Sequence, residues 1–378
     1  MDSTPKQRIL YVDSAPFSGG AQESLLTLME GVAVRGWEPL LAGADHGEHG
    51  LLARCRQRGW RVYELRTSHW RASPLGVARL GLDRLAAGRV LRRALAEAEP
   101  ALIHANGVRS GLLLPGGARG PVPVILHDRD LRVPRLALGW LAGRVGQVLA
   151  ISRCVAAKWH GQVPAERLHV VPNGFDLGRL AATPPAAGLS PAAGRVWVAL
   201  VADLEPWKRH DVFLEAVAQC VAAGADLGAL VVGRARTPAA SRYLHRLQGL
   251  AVTLGIATRV RWVSTAASAL PWLAAADVVV SAALAEPFGR TIIEALALGR
   301  PVVAVNACGP GEILAGCPAA TLTEDTAAAL AAGIREWLSA ERRNAAVGAA
   351  REWAARYERT AMLDSICELY RATGREKP

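Results

Sequence analysis

The run from Ala276 to Val305 constrains the fold more tightly than any other part of the chain. Ala276-Asp277-Val278-Val279-Val280-Ser281 is a short β-branched segment of the kind that forms a buried strand. A loop holding Glu286, Pro287, Phe288 and Gly289 follows, and Thr291 to Leu298 reads as a helix. Gly299-Arg300-Pro301 stops that helix, and Val302 to Val305 is another strand. The unit is β-loop-α-β. Its helix N-terminus, with free N–H groups, opens beside the carboxyl end of a parallel strand, where an anion is favoured.

Glu286 stands in the loop and Glu294 eight residues on. That spacing is a little over two helical turns, so the two acids are not a helix-face pair. A phosphate at Gly289 would have one carboxylate ahead of it and one beyond it, and a carboxylate accepts paired sugar hydroxyls well. The bland alternative makes Glu286 a capping acid and Glu294 a solvated helix residue.

With 378 residues, of which 51% are hydrophobic, the chain exceeds one core and points to two globular domains. The six cysteines show no C-x2-C spacing and read as reduced core residues. The N-terminus leads straight into a strand without a signal peptide, and no apolar run is long enough to span a membrane, so the expectation is a cytoplasmic protein. The net charge is +11, and the excess lies almost wholly before Ser190, with 24 Lys plus Arg against 15 Asp plus Glu. Arg54 to Arg93 holds eleven arginines and two acids. Such a stretch suits an acidic surface or substrate, or else is a solvated face in an arginine-rich chain.

Strand and helix signals alternate throughout. Strands are expected at 8–12, 38–42, 61–65, 102–107, 123–128, 148–152 and 168–171, then at 195–202, 230–234 and 260–263. Helices are expected at 24–34, 77–99, 134–147, 212–222, 243–254, 270–276 and 327–338, and over 341–370 with an interruption near Gly348. The charge-free Pro-, Ala- and Gly-rich segment 181–194 reads as a linker between domains 1–180 and 195–355, and 356–378 reads as a closing helix. The 134–147 helix is unusually apolar and fits an inter-layer helix better than a peripheral contact with an anionic membrane. Gly19-Gly20 follows the first strand without dinucleotide-type spacing. His127 ends a strand, where ligands of α/β sheets sit.

The set E-P-F-G-R-T-I-I-E-A-L-A-L-G-R-P-V-V-A followed by G-P-G-E-I, from Glu286 onward, resembles the E-x7-E region of glycosyltransferase family 4. Pro172-Asn173-Gly174-Phe175-Asp176 resembles the family's marker turn before the domain crossover. The resemblance covers almost the whole chain, and its specific motifs lie mostly in the second half. It implies a GT-B fold: two doubly wound, Rossmann-like α/β domains facing a central cleft, the last helix crossing back to the first domain. It implies a retaining transferase that takes a hexose-type sugar from a nucleotide diphosphate donor. With no cluster of acids and no D-x-D triplet expected, the transferase is expected to be metal-independent. No separate cofactor is implied.

By the same resemblance, Glu286 contacts the donor sugar, Glu294 the ribose, and backbone around Pro287, Phe288, Gly289, Arg290 and Thr291 the diphosphate. Lys208 matches the family's diphosphate lysine, Gly19 and Gly20 its glycine-rich first loop, Gly233 a strand-end glycine, and His127 a residue reaching the reacting centre. One position departs. Asp203 stands where the family has Arg, and Arg209, where the family usually has Gly, would then supply the missing charge. The basic first domain would hold an acceptor, expected in glycan, glycolipid or secondary-metabolite biosynthesis. Two rivals stay open: a sugar-nucleotide epimerase of the same architecture, and a non-catalytic module for anionic surfaces. No nucleic-acid signature is present.

Overall fold

The structure, a computed structural model, describes residues 6–15, 17–67, 74–115, 122–189, 195–264 and 268–374. It divides into two compact units, residues 1–175 with 359–378, and residues 176–358. The segment 181–194, expected to be a linker, begins inside the second unit, where Ala186 N–H donates to the Pro271 carbonyl at 2.8 Å. Its residues 190–194 lie outside the described ones.

The first unit runs β1 (Arg8–Asp13), α1 (Gly20–Val34), β2 (Glu38–Ala44), α2 (Leu51–Gln57), β3 (Val62–Leu65), α3 (Pro74–Ala98) and β4 (Leu102–Asn106). It continues with α4 (Val108–Leu113), β5 (Val124–Asp128), α5 (Arg135–Ala142), β6 (Gln147–Ala150), α6 (Arg153–Ala156) and β7 (Leu168–Val170). All seven strands are parallel in the order β3-β2-β1-β4-β5-β6-β7. The central strands are buried along their length, which is why they read as unbroken apolar runs. Tyr63, Ala87, Leu91 and Leu126 belong to the core on one face, and Ile9, Leu25, Met29, Leu52 and Ile366 to the core on the other.

The second unit holds α7 (Leu177–Ala181), β8 (Val196–Val201), α8 (His210–Ala222), β9 (Leu227–Val232), α9 (Pro238–Thr253), β10 (Val260–Val263) and α10 (Leu270–Ala275). Then come β11 (Val278–Ser281), α11 (Arg290–Ala297), β12 (Val302–Val305), α12 (Cys308–Leu314), β13 (Ala320–Thr323), α13 (Ala327–Glu336) and α14 (Ala340–Ala355). Its six parallel strands lie in the order β10-β9-β8-β11-β12-β13. The closing helix α15 (Arg359–Thr373) packs in the first unit.

The strand order reverses direction between β1 and β4 in one unit and between β8 and β11 in the other. At such a switch point the following loops diverge and leave a crevice beyond the carboxyl ends. The loops after β1, β4, β8 and β11 are therefore the ones the topology offers to ligands.

Several elements differ from expectation. Strand β13 and helices α2, α4 and α12 carry too few residues for a periodic signal; β13 is four residues long and exists because it pairs with β12 from Val302↔Ala320 to Val305↔Thr323. Helix α5 stops at Ala142, since residue 147 is already in β6. The long C-terminal helix breaks at residues 356–358, not near Gly348, which lies within α14 with open space around it. Helix α14 is capped by Ser339, whose hydroxyl takes the Arg342 N–H, and Trp353 anchors it through the Ile313 carbonyl. A single interior glycine costs only about 1 kcal/mol, too little to break a helix held in this way. Among the described residues no helix is long and apolar enough to cross a membrane.

Candidate active site

In the second unit the loop after β8 rises through Asp203 to a single tight turn at Pro206–Lys208 and enters α8 at Arg209. The loop after β11 enters α11 at Gly289. Lys208 Nζ and Glu286 Oε2, 78 residues apart in sequence, form an ion pair that joins these two loops. Both side chains are mostly buried, at 19% and 15% exposure, and the ammonium also lies 3.9 Å from the Trp207 ring centroid. The carboxylate and the ring together fix the position of the Lys208 side chain.

Gly289 caps α11 with φ 102°, and a Cβ there would come 2.8 Å from Ile292 Cδ1, so glycine is required twice over. No side chain caps this helix, whose first turn begins at Arg290 and Thr291. Phe288 is buried with its ring 5.9 Å from that of Tyr357, and the Glu286 carbonyl takes the Gly309 N–H at 3.0 Å. Pro287 and Phe288 thus form a braced corner ahead of the helix mouth. Glu294 is held by Arg290 at 3.1 Å, with 14% and 19% exposure. Both expected donor-site acids therefore sit in ion pairs within this unit.

The departure at Asp203 is resolved by neighbours that the sequence reading did not single out. Arg236 Nε donates to Asp203 Oδ2 at 2.7 Å, and Arg234 Nε lies 3.6 Å from Oδ1. Both arginines follow β9 directly, and the two loops stay close because Gly233 lets the Ala202 carbonyl approach to where a Cβ would be, at 1.9 Å. The acid is thus matched by two cations. Arg209, expected to replace the missing charge, instead reaches Asp325, donating to its carboxylate at 3.3 Å and its carbonyl at 3.0 Å. It also occupies the left-handed region, φ 57°, which explains why glycine suits that position.

Gly19, Gly20 and His127 lie in the first unit. Gly19 caps α1: its N–H donates to Gln22 Oε1 at 2.8 Å, and Gln22 Nε2 donates to Asp13 at 3.0 Å. Asp13 is buried, and that burial raises its pKa. Asn106 Nδ2 also donates to Asp13, at 3.3 Å, while its Oδ1 accepts from Arg129 Nε at 2.6 Å. Arg129 donates further to Asn173 Oδ1 at 2.6 Å and faces His127 Nδ1 at 3.4 Å.

His127 is fully buried, and its Nε2 has no hydrogen-bond partner among the described residues. Burial, then Arg129 and His104, hold its pKa well below the usual histidine value. His104 beneath it is pushed down to about 3 by burial and bonds Tyr370 Oη at 2.7 Å. Both rings are neutral at physiological pH.

Asp128-Arg129-Asp130 is a D-x-D triplet, against the expectation that the chain holds none. Asp128 is fully engaged: Oδ2 takes Trp159 Nε1 at 2.6 Å and Lys158 Nζ at 2.6 Å, and Oδ1 takes the Asp130 N–H at 3.0 Å. Among the described residues no group of three His, Cys, Asp or Glu could hold a metal ion. The arginine-rich stretch is not one open patch either. Arg54 pairs with Glu23, Arg58 with Glu30, Arg56 with Glu64 and Arg93 with Glu97. Arg71 lies outside the described residues.

Two family models match end to end along this architecture. Residues 18–179 match "Glycosyltransferase Family 4" and residues 190–353 match "Glycosyl transferases group 1". The chain belongs to glycosyltransferase family 4. Its relatives include a D-inositol 3-phosphate glycosyltransferase of Segniliparus rotundus, 32% identical over 216 residues, covering 55% of this chain and 47% of that protein. They also include the lipopolysaccharide core mannosyltransferase LpsB of Rhizobium meliloti, 30% identical over 189 residues, 47% of this chain and 51% of the relative. The match thus spans about half the length of these curated relatives.

Among solved structures, Anabaena HepE in complex with UDP and glucose has a TM-score of 0.78 at 23% identity over 97% of this chain and 100% of its own. The lipopolysaccharide glycosyltransferase WaaG has 0.70 at 16% over 96% and 99%. At these identities the likeness is one of fold. This family 4 protein has the GT-B fold, built from two Rossmann-like units.

Proposed function

We propose that the protein transfers a hexose-type sugar from a nucleotide diphosphate donor to an acceptor in glycan biosynthesis, with retention at the anomeric carbon. The observation that supports this reading best is the Lys208–Glu286 ion pair beside the uncapped mouth of α11. Leaving-group departure puts negative charge on the diphosphate as the sugar becomes oxocarbenium-like. A fixed ammonium and a helix N-terminus are preorganised to receive that charge, and such contacts are the largest single contribution in many enzymes. No metal step enters the proposal.

In this reading Lys208 and the N–H groups of Arg290 and Thr291 hold the diphosphate. Glu286 turns from Lys208 to the sugar hydroxyls, and Glu294 takes the ribose hydroxyls. The diphosphate replaces the Glu286 carboxylate on Lys208 with another anion, and the hydroxyls donate hydrogen bonds to the carboxylates. In the first unit the Arg129 guanidinium facing His127 Nδ1 favours the tautomer with its proton on Nε2, which makes that nitrogen a donor. Retention is assigned to front-face attack assisted by the leaving phosphate. The complexes of HepE with UDP and with UDP-glucose make a uridine nucleotide the first donor to try. We further assign the protein to the cytoplasm, with its acceptor held by the first unit.

Thermal-shift screening against a panel of nucleotide sugars tests this. A matched donor at about 100 times its Kd should add about 2.7 kcal/mol of stability and raise Tm visibly. No shift with any nucleotide sugar or nucleoside diphosphate would remove the donor assignment.

A further inference from the structure

Beyond the donor residues, the first unit carries a cavity of about 600 Å³ that none of the functional assignments above uses. Its walls come from the loop after β5 and from the turn that follows α6, so it opens past the carboxyl ends of two neighbouring parallel strands. Its charged lining is of one sign: Arg132, Arg135 and Lys158, with His160 beside them and no aspartate or glutamate. Its apolar lining is Leu131, Val133, Leu138 and Ala157.

The cations are not equivalent. Lys158 is engaged by Asp128 and by the Asp130 carbonyl, which makes it a fixed wall. Arg132 and Arg135 are exposed and take part in no ion pair among the described residues. The nearest carboxylate of the loop, that of Asp130, is turned toward Gly107. Arg135 also opens α5, whose dipole adds positive potential at the same point. Two guanidinium groups outside any ion pair, over an apolar floor, match an anionic phosphate head that carries a less polar body. Arginine's planar fork is suited to phosphate oxygens in pairs.

We propose that this cavity binds a phosphate monoester or diester group of the acceptor, with Arg132 and Arg135 as its ligands. Naming the ligand an acceptor rests on the transferase reading; the binding of phosphate does not. The phosphate would belong either to a soluble sugar or polyol phosphate or to a lipid headgroup.

Calorimetric titration of the full chain with glycerol 1-phosphate, and co-sedimentation with phosphatidylglycerol against phosphatidylcholine vesicles, separate those sources. Saturable binding in either arm, weakened at least tenfold in the Arg132→Ala/Arg135→Ala variant and largely restored in Arg132→Lys/Arg135→Lys, is the expected result. UDP affinity of the Ala variant, measured alongside, reports on the donor site of the second unit and should equal that of the wild type. Glycerol phosphate and anionic vesicles binding the Ala variant as well as the wild type, or neither binding the wild type, would overturn the proposal. Failure of UDP to bind any variant would count against the donor reading and leave the phosphate result standing by itself.

Discussion

Replacing Lys208 by methionine separates the structural from the chemical work of the central ion pair. Methionine keeps the length and apolar stem of the side chain and deletes the charge. Glu286, 15% exposed, is then left without its cation. Orphaning a fully buried carboxylate costs about 3–5 kcal/mol, and partial solvent access to this one reduces that to about 1–2 kcal/mol. The Lys208→Met/Glu286→Gln variant removes the orphan and should regain most of that stability, since no lone charge remains.

Turnover should follow a different course. Loss of one preorganised charge contact to the leaving group costs about 100-fold in kcat. The double variant should not recover it, because it still lacks the ammonium. Urea midpoints and release of nucleoside diphosphate from the matched donor, measured on wild type, both single variants and the double, complete the cycle. If the double variant regains stability and turnover together, or if Lys208→Met turns over within about threefold of wild type, the pair is only a structural brace and the donor assignment fails.

Gly289→Ala places a Cβ at φ 102° and against Ile292, so it should lower stability by about 1–2 kcal/mol and weaken UDP binding by disturbing the α11 entrance; an unchanged Tm and Kd would show that the turn tolerates a side chain. Acid should destabilise the fold through its buried histidines. His104 is held down to about 3, His210 to about 4 and His127 well below 6.5, so below pH 6.5 the unfolded chain binds protons that the folded chain refuses. Stability therefore falls with pH, by about 1.4 kcal/mol per pH unit for each such histidine, down to the folded pKa. Urea midpoints that stay flat from about pH 7 to pH 5 would contradict the burial of these rings.

Most of the alternation of strands and helices was legible in the sequence, because central parallel strands are apolar throughout and their helices begin and end with recognisable glycines and prolines. Some of the short elements were not. β13 pairs by tertiary context, and α12 hides in a Gly-Pro-Gly run that reads as loop. A local motif singles out Glu286, Gly289 and Glu294 as candidates, and the structure gathers them around the start of α11. The site was not legible where the fold brings distant residues together. Nothing local links Asp203 to Arg236, or Arg209 to Asp325 across 116 residues. The cluster of Asn106, Arg129 and Asn173 comes from three separate strand ends, and only the sheet order makes them neighbours. Arg129 did carry a signal, as a cation directly after a strand.

The first unit is closed by α15, whose Leu363 lies over Gly31 and whose Tyr370 reaches His104 in the interior. Every residue of the second unit is therefore translated before the first can bury that face. On the ribosome, residues 176–358 form an uninterrupted folding unit, whereas the earlier-made half waits with Ile9, Leu25 and Met29 short of their cover until positions 359–374 emerge. Synthesis order and completion order are reversed, and a chain stopped just before Arg359 would present chaperones with a finished second half and an uncovered first.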